Sequence, residues 1–191
     1  MNASAGGPLG RRPSSEPTTV NVLDWIRRSN AAGPLKPILN FEQFWDDAFL
    51  IRLFDGPTPK GRRDFHVNTC AEFFYQFQGE LTTVVLRDGE FVTEICREGE
   101  MYWIPPLVPH LNQREIGSIG LVIHGQRQPG AKDAMVWYCE ACHAELHRME
   151  YGFEKDLRQL LRPRIQAFQR DVALRTCKAC GAILTGDLGF M

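Results

Sequence analysis

Short segments rich in β-branched and aromatic residues follow one another through the middle of the chain, and a turn signal separates each from the next. Residues 73–77 end at Gly79, and residues 101–104 end at Pro105-Pro106. Asp88-Gly89 favours a tight hairpin, because both positions tolerate positive φ. The other segments are residues 49–54, 81–86, 91–95 and 119–124. This series, which lacks helical periodicity, predicts a mainly β fold, either an antiparallel barrel or a jelly-roll of two sheets.

Two histidines and a glutamate border this run of predicted strands. His66 and Glu72 are six positions apart at its entrance, and His110 follows Pro105 further along the chain. Two imidazoles and one carboxylate on a sheet make the facial triad that holds Fe(II) and leaves positions open for dioxygen and substrate. Each residue alone has an ordinary explanation, since Glu72 could be a solvated strand end. Together the three residues predict an Fe(II) site in the barrel.

Four of the six cysteines form two Cys-x-x-Cys units, Cys139/Cys142 and Cys177/Cys180. In an intracellular chain, paired units of this spacing are metal knuckles more often than disulfides. Four thiolates make a tetrahedral cage that takes Fe or Zn. We expect a structural site that fastens the C-terminal segment to the barrel. The alternative is a zinc ribbon that binds nucleic acid, and the charge balance argues against it.

Length and charge limit the remaining possibilities. The 191 residues suffice for one domain and a small appendage, and the net charge of −1 gives no electrostatic footprint for nucleic acid or an anionic membrane. No apolar run has the length of a transmembrane helix and no signal-peptide core is present, so we expect a soluble, cytoplasmic protein. We divide the chain into a disordered tail (1–19), a barrel with an N-terminal helix (20–136), and a C-terminal part (137–191). The last part holds the cysteine site and a helix that Pro163 is expected to kink or divide.

The spacing of the site residues resembles the two motifs of the cupin superfamily. In that family the first motif ends with a metal-binding Glu that is separated from a Gly by six residues. Glu72 and Gly79 have this spacing here. The second motif runs from Gly99 through Pro105 to His110. This resemblance implies a double-stranded β-helix, the jelly-roll-like barrel of the cupins.

The chain departs from the cupin pattern at two positions. The usual His-x-His of the first motif is reduced to Asp64-x-His66, and Leu107 replaces the Gly that usually lies between Pro and His of the second motif. The loss of one histidine favours the iron triad over a four-ligand cupin site.

Within the cupins, residues 35–181, about three quarters of the chain, resemble 3-hydroxyanthranilate 3,4-dioxygenase in its short bacterial and fungal form. The matching motifs are Arg62-x-x-x-His66, Glu72-Phe73-Phe74-Tyr75-Gln76, Ile104-Pro105-Pro106-x-x-x-His110, Gln113-Arg114, Leu121-Val122-Ile123 and Trp137-Tyr138-Cys139-x-x-Cys142. The resemblance implies His66, Glu72 and His110 as iron ligands, iron at the rubredoxin-like cysteine site, and a homodimer. It implies an extradiol-type ring-cleaving dioxygenase that acts on 3-hydroxyanthranilate or a close o-aminophenol.

Three further residues receive roles from the resemblance. Arg114 is expected to hold the substrate carboxylate in the bidentate geometry of a guanidinium. Arg62 is expected to stabilise negative charge that develops on the oxygen. Asn40 matches an asparagine of the family's substrate pocket.

His124 stands where the family has a glutamate that contacts the substrate's hydroxyl and amino groups. A histidine in the pocket could act as a general base, but it lacks the fixed charge of a carboxylate. The substrate would then be a different aminophenol or a catechol. The other interpretation makes His124 a strand-end residue beyond the pocket. From another class of function, the chain could be a metal-bearing cupin that binds a small aromatic without catalysis.

Overall fold

The computed structural model describes residues 21–31, 40–46, 49–59, 61–152 and 157–185. The predicted tail at residues 1–19 lies outside them. The helices are α1 (Val22–Ala31), α2 (Leu157–Arg170) and α3 (Val172–Arg175). The strands are β1 (Asn40–Asp46), β2 (Leu50–Asp55), β3 (Phe65–Val67), β4 (Glu72–Gln78), β5 (Leu81–Arg87), β6 (Glu90–Cys96), β7 (Met101–Ile104), β8 (His110–Arg114), β9 (Ile119–His124), β10 (Lys132–Tyr138) and β11 (Glu145–Gly152).

The strands form two antiparallel sheets, one in the order β1-β2-β9-β4-β7 and one in the order β11-β10-β3-β8-β5-β6. Neighbours in each sheet are often far apart in sequence, as in a jelly-roll. The two sheets confirm the predicted mainly β fold built from two antiparallel sheets. Among the described residues, no helix is long and apolar enough to span a bilayer.

The β5–β6 hairpin turns at Asp88-Gly89, as predicted. Asp88 has φ 52° and Gly89 has φ 82°, the pair of positive values that a tight turn with the twist of its strands requires. The register then pairs Leu86 with Phe91 and Arg87 with Glu90. The Asp-Gly pair therefore fixes which residues of the hairpin face the barrel interior.

The helix α2 continues through Pro163, so the proline does not divide it. Leu161, Ile165 and Phe168 lie on both sides of the proline and are buried in one cluster with Trp137 of β10. The burial of these side chains outweighs the single hydrogen bond that proline removes from the helix.

The six-stranded sheet extends across the predicted boundary between residues 136 and 137. That boundary falls inside β10, and β10 pairs with β11 along its length. The segment that carries the first cysteine pair thus leaves directly from a barrel strand. The division of the chain into domains stays a prediction.

Candidate active site and cysteine centre

Strand register brings the first predicted site residues together. On the neighbouring strands β4 and β9, Glu72 pairs with His124 and Phe74 pairs with Val122. Directly opposite residues of an antiparallel pair project from the same face of the sheet. His124 therefore lies on the pocket face beside Glu72, and the interpretation as a strand-end residue beyond the pocket is wrong.

A pocket among the described residues draws on strands of both sheets. It is lined by Arg52, Phe54, Thr58, Arg62, His66, Glu72, Phe74, Asn112, Arg114, Val122 and His124. Five of the predicted site residues are in this set, namely Arg62, His66, Glu72, Arg114 and His124. Asn40 is the first residue of β1, and its side chain lies outside the part of the chain that the structure describes.

The predicted iron ligands come from three strands that meet at one end of the pocket. His66 of β3 pairs with His110 of β8, and their ring centroids are 6.0 Å apart. Nε2 of His110 lies 3.2 Å from Oε1 of Glu72. That spacing suits two donors on one ion, since ligands about 2.1 Å from a metal lie about 3 Å apart at right angles.

Hydrogen bonds orient two of these ligands. Nδ1 of His110 donates to the Val108 carbonyl at 3.0 Å, which directs Nε2 into the pocket. The Asn68 amide donates to Oε1 of Glu72. A histidine held through one nitrogen presents the other as a metal ligand in a fixed direction.

The buried charges favour an ionised glutamate. Burial alone would raise the pKa of Glu72, but His110 and His124 hold that pKa well below its usual range. Burial would lower the pKa of His110, and the Glu72 carboxylate raises it instead. For His124 burial dominates and lowers the pKa to about 4. Glu72 is thus the anionic centre of the site, with a neutral imidazole at His124.

The donor set fits a metal ion. Nε2 of His110 and Nδ1 of His124 are buried without a hydrogen-bond partner among the described residues, and both face the Glu72 carboxylate. Buried nitrogen atoms without partners are costly. An ion held by His110 and Glu72, with a group of a bound ligand beside His124, would remove that cost. Nε2 of His66 accepts from Arg62 at 3.1 Å, so His66 would exchange this hydrogen bond for the metal. A metal site in the barrel is consistent with these observations.

Arg62 is fixed by a buried ion pair. Its Nε and Nη2 donate to the two carboxylate oxygens of Asp64 at 2.9 and 2.7 Å, and the residues are only 3% and 0% exposed. Burial would raise the pKa of Asp64, but Arg62 lowers it below its usual range. The residue that replaces the first cupin histidine therefore anchors the arginine beside His66.

Arg114 lies at the far end of the pocket from Glu72. Its Nη1 donates to Oε1 of Gln76 at 2.8 Å, and its guanidinium carbon lies 5.8 Å from the Phe54 ring centroid. Both partners are uncharged, and burial lowers the pKa of Arg114 to about 10. A buried cation whose described partners are neutral is suited to hold an anionic group of a ligand.

Two charged residues in or next to the pocket were missed from the sequence. Arg52 lies in the pocket on β2, between Leu50 and Phe54 on the same face. The sequence signal for Arg52 was the presence of an arginine within the otherwise apolar residues 49–54. Asp64 was considered only as the residue that replaces a cupin histidine. Its position two residues after Arg62 was the signal for the ion pair between them.

The four cysteines converge at a second site. Their sulfur atoms all lie within 4.8 Å of one another. Cys139 Sγ is 3.6 Å from Cys180 Sγ, and Cys142 Sγ is 3.5 Å from Cys177 Sγ. A metal–sulfur distance of about 2.3 Å places tetrahedral sulfurs about 3.8 Å apart, close to these values. The set fits a tetrahedral ion such as Fe or Zn.

The two knuckles have the same backbone turn. The Gly181 N–H donates to the Cys177 carbonyl, and the His143 N–H donates to the Cys139 carbonyl, both at 2.9 Å. Gly181 has φ 78° and His143 has φ 59°, which costs a residue with a Cβ some strain. The His143 ring offsets this cost because its centroid lies 4.3 Å from that of the Phe91 ring and its Nδ1 donates a hydrogen bond to the Gly89 carbonyl.

The comparison with known proteins agrees with this geometry. A family model described as 3-hydroxyanthranilic acid dioxygenase matches residues 15–169. The 3-hydroxyanthranilate 3,4-dioxygenase of Ruegeria pomeroyi is 42% identical over 167 residues, which cover 87% of this chain and 91% of that protein. The enzymes of the same name from Shewanella woodyi (39% identity, 87% and 86% covered) and Candida albicans (35%, 86% and 93%) are also similar. These matches confirm the resemblance that the motifs indicated, and the chain belongs to the 3-hydroxyanthranilic acid dioxygenase family.

Proposed function

We propose that this protein is an Fe(II)-dependent, extradiol-type ring-cleaving dioxygenase that acts on 3-hydroxyanthranilate or a close o-aminophenol. The observation that carries the proposal is one pocket lined by Glu72, which His110 contacts from behind the lining, and by the Arg114 guanidinium. An aromatic acid with adjacent hydroxyl and amino groups matches this polarity. Its ring would lie against Phe74 and Val122, which are neighbours on one wall of the pocket.

The iron ligands in this proposal are His66, Glu72 and His110. Bound iron would supply a coordination point for the adjacent hydroxyl and amino groups and for dioxygen, and would mediate the transfer of electrons from the substrate ring, which is oxidised as it opens. Hydrogen bonds with Asn68 and with the Val108 carbonyl fix the orientations of Glu72 and His110. Preorganised ligands of this kind leave positions open on one side of the ion.

The arginines orient the reactants. Arg114 would bind the substrate carboxylate with two parallel N–H donors. The substrate carboxylate would replace Gln76 as an acceptor and give the buried cation a charged partner. Arg62, held by Asp64 beside His66, would place a fixed positive charge next to the metal position. Negative charge that develops on the oxygen during the reaction would be stabilised there.

His124 would contact the substrate's metal-binding groups. Its Nδ1 lies 3.9 Å from Oε2 of Glu72, at the end of the pocket where those groups would bind. A neutral imidazole accepts a proton through one nitrogen and donates through the other, whereas a carboxylate only accepts. We propose that His124, as a neutral imidazole, accepts a hydrogen bond from one of these groups and thereby selects which ortho-substituents bind well.

Replacement of His124 by glutamate should change this selectivity. His124→Glu is expected to improve ring opening of 3-hydroxyanthranilate relative to other o-aminophenols and catechols, by about tenfold in the ratio of kcat/KM values. His124→Ala should slow the best substrate, because the hydrogen-bond acceptor is lost. Oxygen uptake with Fe(II) and each aromatic measures both effects. An unchanged preference in both variants would remove His124 from substrate recognition.

The same assay separates catalysis from the rival class of function. A cupin that only binds small aromatics would show binding of 3-hydroxyanthranilate without oxygen consumption. The enzyme should consume one dioxygen for each ring opened, with loss of the aromatic absorbance. Absence of uptake with every o-aminophenol and catechol, in protein shown to hold Fe(II), would favour the binding protein.

We further propose iron at the cysteine site and a homodimer in the cytoplasm. Support for a second copy comes from β7, the last strand of its sheet, where Met101 and Trp103 are 67% and 57% exposed. Exposed large apolar side chains on an edge strand are typical of an interface. Sedimentation equilibrium is expected to give twice the mass of the 191-residue chain, and a monomer at micromolar concentration would contradict the dimer.

A further inference from the structure

Arg52 is a third pocket arginine, for which neither the motifs nor the proposed mechanism provides a role. It lies on β2 and pairs in register with Val122 of β9. Leu50, Arg52 and Phe54 alternate along one face of β2, and Phe54 and Arg52 both line the pocket. The side chain of Arg52 is half-buried. A guanidinium on the inner face of a barrel strand is costly unless it serves a ligand or a network.

The strand register places Arg52 midway along the pocket. Leu50 pairs with His124, which is opposite Glu72, at the metal end. Phe54 pairs with Gly120, next to Arg114, at the carboxylate end. Leu50 and Phe54 are each two residues from Arg52 along β2, so each end of the pocket lies about 7 Å from the level of Arg52. A ring that reaches from the metal position to Arg114 would therefore have one edge beside Arg52.

The charges that line the pocket are mostly positive. Among the described residues that line it, Glu72 is the acidic one, and it would be committed to the ion. Asp64, next to Arg62, is paired with that arginine. Arg114 is assigned to one substrate carboxylate. Arg52 then adds a positive charge to the pocket. The glutamate that the family has at position 124 is replaced here by His124, so it adds no negative charge. A guanidinium has five N–H donors, so contacts within the protein leave others for a ligand.

We propose that Arg52 binds a second anionic substituent on the substrate ring, so that the preferred substrate is an o-aminophenol or catechol with two acidic groups. This inference rests on the proposed function and specifies the substrate class of the same site. One acidic group would bind to Arg114 at the end of the pocket. The other, on the ring edge, would bind to Arg52. Arg52 is thus a specificity-determining residue that 3-hydroxyanthranilate, with one carboxylate, does not fully use.

The test compares ligands that differ by one acidic group. The Fe(II)-loaded protein is titrated without oxygen with 3-hydroxyanthranilate and with its derivatives that carry a second carboxylate at one of the open ring positions. At least one dicarboxylate is expected to bind about 10- to 100-fold more tightly than 3-hydroxyanthranilate, the gain of a hydrogen-bonded charge pair. Arg52→Leu should abolish this gain and change the affinity for 3-hydroxyanthranilate by less than about threefold. Arg52→Lys should retain part of the gain, because it keeps the charge.

Arg97→Leu is the matched control, since Arg97 is an arginine exposed outside the pocket, and it should leave both affinities unchanged. If Arg52→Leu does not fold, Arg52→Gln removes the charge at nearly constant volume and should give the same loss. The proposal would be overturned if Arg52→Leu lost affinity equally for 3-hydroxyanthranilate and for the dicarboxylates. It would also be overturned if the wild-type protein bound no dicarboxylate more tightly than 3-hydroxyanthranilate. Oxygen uptake on the same ligands reports separately on the proposed function: discrimination by Arg52 without ring opening would contradict the dioxygenase assignment alone.

Discussion

The variant His110→Ala is expected to lose ring-opening activity by at least about a thousandfold while it keeps the metal at the four cysteines. His110 is buried, and its Nε2 is directed towards the Glu72 carboxylate by the hydrogen bond from Nδ1 to Val108. Removal of the imidazole leaves too few ligands to hold Fe(II) in the barrel. A loss of several kcal/mol in transition-state stabilisation corresponds to this factor. Oxygen uptake and metal analysis of the same sample measure the two effects.

Cys142→Ser is the complementary control for His110→Ala. It removes one of the four sulfur ligands, which lie within 4.8 Å of one another, so about one metal ion per chain should be lost and the Tm should fall. Iron in the barrel should remain, because no barrel ligand is changed. The two sites are independent only if the two variants lose different ions. Loss of the same ion from both would show that the separation of the sites is wrong.

The parts of the site that could be predicted are those in which local sequence determines the geometry. Glu72 and His124 lie at the ends of strands that the residue pattern predicted, and residues 119–124 coincide with β9. The Cys-x-x-Cys units bring paired sulfurs together within one turn each. Each strand end and each Cys-x-x-Cys turn is local, so a motif can predict it, whereas the meeting of Glu72 with His124 depends on the register of β4 with β9.

The parts that could not be predicted depend on pairing between distant strands. The three-residue strand β3 carries His66 but is too short for a periodicity signal, and its partner β10 begins 65 residues after the end of β3. The inner face of β2 could be assigned only from its register with β9, and this register places Arg52 in the pocket. A one-residue change of that register would move Arg52 to the opposite face of the sheet.

The replacement at His143 shows a different limit. The motif located the first knuckle, in which His143 stands where the second knuckle has Gly181. The backbone indeed has positive φ at His143, but the ring contacts with Phe91 and Gly89 come from the β5–β6 hairpin, about fifty residues earlier in the chain. Such compensation by a distant element has no local signature in the sequence.

The variant Asp64→Ala is expected to lower the free energy of unfolding by about 3–5 kcal/mol, because it leaves the Arg62 guanidinium buried without its carboxylate partner. For a chain of this length the Tm should fall by about 6–20 °C. Arg62 would also lose the two hydrogen bonds that hold it beside His66, so kcat should fall even at temperatures where the variant is folded. Denaturant unfolding and oxygen uptake at low temperature measure the two effects separately.

Two controls identify the buried charge as the cause. Glu140→Ala breaks the neighbouring pair with Arg63, whose side chains are 36% and 54% exposed, and should cost less than about 1 kcal/mol. The double variant Arg62→Met, Asp64→Leu removes both charges and should recover most of the stability, since apolar replacements of a buried ion pair are often neutral. It should not recover activity, because the cation beside His66 is then absent. A double variant as unstable as Asp64→Ala would show that packing at these positions, rather than the unpaired arginine, determines the loss.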